Sequence, residues 1–248
     1  MMDTASRSLG KELLRASGLV RRFGGLVAVN EVSLNVTDRE IVGLIGPNGA
    51  GKTSLFNILS GQLGPDSGNV SFAGQDITGA SASVCARAGI GRTFQIVKPL
   101  VSLTVHENVT VGALLNYPLA TAREKAAEII GRVGMRSLLD QQAGSLTLES
   151  RKRLELARAL SIEPRMLLLD EILAGLNASE INESIHLIRS FAHQDGLAVI
   201  MIEHNLHAVM SLADKVVVLD YGRKIAEGKP EVVVRDPAVV AAYLGSDD

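Results

Sequence analysis

The chain has 248 residues, of which 46% are hydrophobic and 3% aromatic, and this length suits a globular protein with one large core and room for a smaller inserted subdomain. A formal net charge of −2 and the scarcity of aromatic side chains argue against a nucleic-acid-binding protein, which needs a basic surface or stacking platforms. The single cysteine, Cys85, excludes an internal disulfide and is typical of a reducing compartment.

The N-terminal part of the chain predicts a tail followed by antiparallel strands. Residues 1–12 are mostly small and polar, so we expect them to form a flexible tail. From residue 19 to 42, short apolar runs alternate with polar residues and are interrupted by turn signals at 24–25 and 38–40. No apolar run of the sequence approaches the ~18 residues that cross a bilayer, so we expect any membrane role to come through a partner.

Residues 46–53 read GPNGAGKT and satisfy the G-x-x-x-x-G-K-[ST] pattern of a phosphate-binding loop. The loop follows an apolar run and precedes a helix-like stretch, so backbone N–H groups and a helix dipole converge on one polyphosphate. Lys52 is expected to reach the β- and γ-phosphates, and the Thr53 hydroxyl to ligate Mg²⁺. We therefore predict that a nucleoside triphosphate binds to Gly46, Pro47, Asn48, Gly49, Ala50, Gly51, Lys52, Thr53 and Ser54.

A change of pattern follows the segment Gly91-Arg92-Thr93-Phe94 and begins at Gln95. An amide at this position can reach Mg²⁺ or an attacking water. Residues 96–163 then become mostly helical in pattern, most clearly at 122–133 and 151–162. We predict a helical subdomain over 96–163, inserted into a nucleotide-binding core made of residues 13–95 and 164–248.

Two apolar runs, 166–169 and 198–202, predict strands that are buried on both faces of a parallel sheet. The first run ends in Asp170 and Glu171, where Asp170 is expected to hold Mg²⁺ and Glu171 to polarise the attacking water. His204 follows the second run and is expected to touch a γ-phosphate. Strands that alternate with helices indicate an α/β fold, which a hairpin around residues 220–222 closes.

The order of these motifs resembles that of an ABC transporter ATP-binding subunit. The resemblance extends from about residue 14 to residue 245 and implies a P-loop NTPase (RecA-like) core with an antiparallel β subdomain and an inserted helical subdomain. Several stretches resemble, more narrowly, the ATPase subunits of branched-chain amino-acid uptake systems. These stretches are residues 22–29, 92–95, 153–160, 174–177, 202–205 and 236–245.

The resemblance also implies roles for individual residues, with ATP and Mg²⁺ as cofactors. Phe23 would stack on the adenine ring, Glu171 would act as general base, and His204 would sense the γ-phosphate. Gln95 would take part in catalysis and link the nucleotide to the helical subdomain. The Mg²⁺ ligands would be Thr53, Gln95 and Asp170.

The partners implied by the resemblance are other subunits of a transporter. Two ATPase subunits, identical or different, would pair head to tail and trap ATP between the phosphate loop of one and the signature helix of the other. Their closure would move two integral-membrane permease subunits, docked near residues 97–105 and served by an extracytoplasmic solute-binding protein. The chain would then be cytoplasmic, held at the inner face of the membrane, and would bind no nucleic acid.

One motif departs from the family pattern. The signature Leu-Ser-x-Gly-Gln is replaced by Leu-Thr-Leu-Glu-Ser at residues 146–150. Thr147 keeps a hydroxyl for the partner's ATP, whereas Glu149 places a negative charge where a phosphate approaches. Alternatively, Glu149 points outward as a helix-start carboxylate, which is favourable by ~0.3–1 kcal/mol.

Three functions are compatible with these motifs. The preferred one is the ATPase subunit of an importer for branched-chain or related amino acids. A non-transport ABC ATPase is the first alternative, although such proteins typically carry two nucleotide domains or basic patches. A hydrolysis-poor regulatory subunit is the second; the altered signature favours it, whereas intact Lys52, Asp170, Glu171 and His204 oppose it.

Overall fold

The computed structural model describes residues 10–244. Its strands are β1 (Glu12–Phe23), β2 (Leu26–Thr37), β3 (Ile41–Ile45), β4 (Ser67–Phe72), β5 (Gln75–Asp76), β6 (Ile90–Arg92), β7 (Met166–Asp170), β8 (Ala198–Ile202), β9 (Lys215–Asp220) and β10 (Arg223–Gly228). Its helices are α1 (Lys52–Leu59), α2 (Ala82–Ala88), α3 (Val105–Ala113), α4 (Leu119–Arg132), α5 (Leu148–Leu160), α6 (Ala178–Gln194), α7 (Leu206–Leu212), α8 (Pro230–Val233) and α9 (Pro237–Leu244).

A six-stranded sheet of order β10-β9-β3-β8-β7-β6 forms the centre of the molecule. The strands from β9 to β6 run parallel, and β10 forms an antiparallel hairpin with β9. Every residue of β3, β7 and β8 is buried, as their continuous apolar runs predict. Because parallel strands end at the same edge, the register places Asp170 beside Ile202, close to the start of the phosphate loop.

The central sheet separates two apolar clusters, because successive residues of a strand point to opposite faces. Leu167 and Val199 pack into one cluster with residues of α3 to α7. Leu168 and Ile200 pack into the other with α1 and the second sheet, whose order is β2-β1-β4-β5. The β1–β2 hairpin pairs Phe23 with Leu26 and so presents Phe23 at the end of this second, antiparallel sheet.

Helices α3, α4 and α5 lie between β6 and β7 in the chain and contact one another. A reciprocal capping box starts α3, in which Glu107 N donates to Thr104 Oγ1 and Thr104 N donates to Glu107 Oε2. Helix α5 begins at Leu148 rather than at residue 151, because Thr147 caps it by accepting a hydrogen bond from Ser150 N at 3.3 Å. The altered signature is thus the start of a helix.

The predicted tail over residues 1–12 needs a correction at its C-terminal end. Residues 1–9 lie outside the described residues, but β1 already begins at Glu12, which pairs with Thr37 of β2. The antiparallel ladder therefore extends further toward the N-terminus than the polar composition suggested. Within residues 10–244, no helix combines the length and apolar character that a membrane span requires.

Candidate functional site

The phosphate loop turns sharply from β3 into α1. Gly51 adopts φ 98°, and a Cβ atom there would lie 2.2 Å from the Ala28 carbonyl oxygen, so only glycine fits. Lys52, the first residue of α1, is buried, and its Nζ donates to the carbonyl oxygens of Gly46 at 2.7 Å and Pro47 at 2.9 Å. The loop is therefore wrapped around the lysine ammonium at a helix N-terminus, the arrangement that binds phosphate.

A cavity of about 460 Å³ lies beside this loop, a volume suited to a small molecule. It is lined by Phe23, Leu26, Val27, Ala28, Asn48, Gly49, Ala50, Gly51, Lys52, Thr53, Ser54, Gln95, Glu171, His204 and Tyr221. Most of the predicted binding residues thus meet at one place. Gly46 and Pro47 at the start of the loop, and Asp170 at the buried end of β7, are not among the lining residues.

Two residues distant in sequence converge on the carboxylate of Glu171 at the cavity wall. Gln95 Nε2 donates to Glu171 Oε2 at 2.8 Å, and His204 Nε2 lies 3.0 Å from Glu171 Oε1. The backbone of Glu171 is left-handed, with φ 49°, and its N–H donates to the Ile202 carbonyl oxygen. The fold therefore holds both oxygens of Glu171 in a defined orientation, as a general base for a bound water requires.

Asp170 is held by a buried arginine to which the sequence analysis gave no role. Arg92 Nη2 lies 3.2 Å from Asp170 Oδ2, and both side chains are less than a tenth exposed. Arg92 Nη1 donates to Asn57 Oδ1 and Ser60 Oγ, each at 2.7 Å, and so ties the strand end to α1. The other oxygen, Asp170 Oδ1, is buried and has no hydrogen-bond partner in the described part of the chain.

Burial shifts the titration of these charged groups. It raises the pKa of Asp170, although the Arg92 guanidinium opposes the shift. It lowers the pKa of Arg92 and of Lys52, in the latter case against the raising effect of the Glu171 and Asp170 carboxylates. The edge of the sheet thus concentrates charges that are only partly compensated, as functional sites often do.

Two further ionisable residues were missed by the sequence analysis. Glu203 is 4% exposed and accepts a hydrogen bond from Leu173 N at 2.9 Å; burial raises its pKa to about 7. Lys152 of α5 is buried, and its Nζ donates to the Glu171 carbonyl oxygen at 2.9 Å. The position of Glu203 directly before His204 was the available sequence signal. Nothing in the sequence indicated that α5 reaches this edge of the central sheet.

The predicted signature residues lie apart from this cavity, at the start of α5. Thr147 is exposed, and its hydroxyl caps the helix. Glu149 Oε1 lies 2.7 Å from Nη2 of Arg153, four residues along the same helix. The same nitrogen contacts Glu183 Oε2 of α6 at 2.5 Å. Glu149 is therefore turned toward a cation of its own chain, a contact that the sequence analysis did not anticipate.

The phosphate loop, the strand-end carboxylates and the helices inserted between β6 and β7 define a P-loop ATPase cassette as the class of protein. Comparison with known sequences then identifies the family. Residues 29–174 match the family model described as ABC transporter, and residues 223–248 match the one described as branched-chain amino acid ATP-binding cassette transporter. The chain belongs to the ABC transporter family, as one of its ATPases.

Individual relatives agree with this assignment. The chain is 38% identical over 253 residues to the high-affinity branched-chain amino acid transport ATP-binding protein LivG of Salmonella typhimurium, covering 96% of this chain and 99% of LivG. It is 34% identical over 236 residues to the lipopolysaccharide export system ATP-binding protein LptB of Acidithiobacillus ferridurans, covering 94% and 97%.

A solved structure confirms the predicted fold class. The ADP conformation of MJ1267, an ATP-binding cassette of an ABC transporter, superimposes with a TM-score of 0.86 at 32% identity, covering 95% of this chain and 99% of that one. The names of these relatives specify different transported substances, branched-chain amino acids and lipopolysaccharide. The similarity therefore identifies the ATPase and not the substance that is transported.

Proposed function

We propose that the chain is the ATP-hydrolysing subunit of an importer for branched-chain or related amino acids. The cargo assignment is supported by the similarity to LivG and to BraF of Pseudomonas aeruginosa, each 38% identical, and by the family match at residues 223–248. The observation that carries the hydrolytic function is the Glu171 carboxylate, held between Gln95 and His204 at the wall of the phosphate-loop cavity.

The residues present fit a magnesium ion, which prefers oxygen ligands and commonly uses one carboxylate together with substrate phosphates. Asp170 Oδ1 is a buried oxygen without a hydrogen-bond partner in residues 10–244. The Thr53 hydroxyl lies at the start of α1, and the Gln95 amide oxygen remains available while Nε2 bonds to Glu171. Bound here, Mg²⁺ would neutralise phosphate charge.

In this mechanism, the loop N–H groups and Lys52 bind the phosphates, and Glu171 takes a proton from the water that attacks the γ-phosphorus. His204 and Gln95 hold one carboxylate oxygen each and so fix the direction in which Glu171 accepts that proton. Phe23, 44% exposed at the cavity rim, stacks on the base. The products are ADP and inorganic phosphate.

Transport requires partners. A second ATPase subunit pairs with this chain so that Thr147 and Glu149 face the partner's ATP. Two permease subunits dock beside the segment that follows Gln95, where Ile96 and Val101 are 68% and 61% exposed; apolar side chains this exposed favour an interface. The chain would then act at the cytoplasmic face of the membrane.

A second candidate function is favoured by the start of α5. Glu149 carries a charge where the family pattern has glycine, and the neighbouring Leu148 is 51% exposed. In an asymmetric complex, this chain would supply one competent phosphate loop and one weak signature. It would then hydrolyse ATP well only beside a second subunit that has the consensus signature.

The test of the proposed function is Glu171→Gln in the purified protein, alone and with a consensus-signature partner. We expect MgATP binding to be unchanged and hydrolysis to fall at least ~100-fold, because the base is lost while the amide keeps the side-chain shape. Glu231→Gln, an exposed carboxylate on α8, is the matched control. If Glu171→Gln hydrolysed ATP at the wild-type rate, Glu171 would not be the base. If the unsubstituted chain hydrolysed ATP only together with the consensus-signature partner, the second candidate function would be favoured.

A further inference from the structure

Tyr221 is an exposed aromatic residue that the catalytic site leaves unexplained. It lies in the turn between β9 and β10, is 86% exposed, and lines the phosphate-loop cavity. The chain has five phenylalanines, three tyrosines and no tryptophan, and the two aromatic residues among the described lining of this cavity are Tyr221 and Phe23. An exposed tyrosine beside a ligand cavity offers a planar apolar surface for the ligand.

The turn that carries Tyr221 is fixed to the phosphate loop. Gly222 N donates to the Ala50 carbonyl oxygen at 3.0 Å, and Asn30 N donates to the Gly222 carbonyl oxygen at 2.8 Å. A Cβ atom at Gly222 would lie 2.9 Å from the Ala28 carbonyl oxygen, so the turn packs directly on β2. The backbone of Tyr221 is therefore positioned relative to the phosphate site, although its side chain is exposed.

The Tyr221 backbone also adopts an unfavourable conformation. Its φ of 42° is left-handed, a conformation that is uncommon and strained for a bulky residue. Glycine or asparagine would fit this turn with less strain, so the turn geometry alone does not explain a tyrosine.

We propose that Tyr221 is a positioning residue whose ring contacts the nucleoside part of ATP and, with Phe23, forms the aromatic wall of that subsite. Lys52 and the loop fix the phosphate end of the ligand, so the base lies toward the part of the cavity that contains the aromatic residues. Stacking accepts any base, so Tyr221 contributes affinity without choosing between adenine and guanine. The inference rests on the nucleotide site proposed above.

The experiment compares ligands with and without a nucleoside. Binding of MgADP, MgGDP and magnesium tripolyphosphate is measured by calorimetry for the wild type, Tyr221→Phe and Tyr221→Asn. Asparagine removes the ring but tolerates the left-handed conformation, which protects the turn. Arg39→Asn is the matched control, because Arg39 is also exposed and left-handed, with φ 64°, but does not line the cavity.

We expect Tyr221→Asn to weaken MgADP and MgGDP alike, by roughly fivefold or more, the usual effect of losing one stacking contact. Tripolyphosphate binding should stay within about twofold, and Tyr221→Phe and Arg39→Asn should behave as the wild type. Equal weakening of all three ligands would mean that the phosphate loop is distorted and would overturn the inference, as would unchanged nucleotide binding. Failure of the wild type to bind any nucleotide would instead overturn the proposed function.

Discussion

The edge of the central sheet and the start of α5 both carry charged side chains, but they stabilise them differently. At the sheet edge, Lys52, Asp170 and Glu203 are at most 7% exposed, and burial shifts the pKa of each against its charged form. At the start of α5, the Glu149 side chain is 31% exposed and pairs with Arg153 one turn away. The buried charges depend on the whole fold, whereas the exposed pair is local. The charged edge of the sheet is therefore constrained by the core, and the start of α5 is free to change.

The largest expected difference between the two regions comes from removing one arginine in each. Arg92→Ala leaves Asp170 as an uncompensated buried charge and should lower the free energy of unfolding by about 3–5 kcal/mol. Arg153→Ala breaks an exposed pair and should cost about 1 kcal/mol or less. Urea denaturation at neutral pH measures both. Equal losses would mean that the two arginines are not in the different environments described here.

The second prediction concerns the pH dependence of stability that the buried sheet edge contributes. Glu203 has its pKa raised from 4.5 to about 7, so the folded protein binds the extra proton between these values. Its contribution to stability is therefore fully present below pH 4.5 and is lost as the pH rises through 7, by about 3 kcal/mol at most. Glu203→Gln keeps an acceptor for Leu173 N and should remove this dependence.

The measurement is the difference in unfolding free energy between the wild type and Glu203→Gln at pH 5 and pH 8, in which every titration that the substitution leaves unchanged cancels. We expect Glu203→Gln to gain stability relative to the wild type at pH 8. Glu231→Gln, on the exposed side of α8, should run parallel to the wild type. If the difference in unfolding free energy between Glu203→Gln and the wild type were the same at pH 5 and pH 8, Glu203 would not be a buried group that binds a proton in the folded protein.

The smallest effect is expected at the signature. Glu149→Gly with Ser150→Gln removes a negative charge that would face the partner's phosphates, so the ATPase rate and ATP-driven dimerisation of the isolated protein should rise. Because Arg153 already offsets part of that charge, we expect about a fivefold increase, equivalent to ~1 kcal/mol. Glu183→Gln removes the second carboxylate on Arg153 and keeps the signature, so it serves as the control. An unchanged rate in the double variant would mean that Glu149 does not limit closure.

The sequence predicted much of this arrangement because its motifs follow buried strands. Glu171 and His204 were named from positions after strand-like runs, and Gln95 from the change to a helical pattern. Parallel strands bring the positions at their carboxyl ends to one edge, where the three side chains meet. Side-chain pairing was harder to predict. The partners of Arg92 and Arg153 lie on other elements or depend on rotamer choice, and the exposure of Tyr221 depends on how one turn packs on β2. Local periodicity contains no signal for such contacts.

The sharing of one arginine nitrogen between two helices has an electrical consequence. Glu149 and Glu183 both contact Nη2 of Arg153, so one positive charge serves two carboxylates, one on α5 and one on α6. If α6 moves away, Arg153 and Glu149 form a neutral pair; if it approaches, the cluster carries a net negative charge. The net charge at the start of α5 thus follows the spacing of two helices, and a mechanical displacement is converted into a change of electrostatic potential.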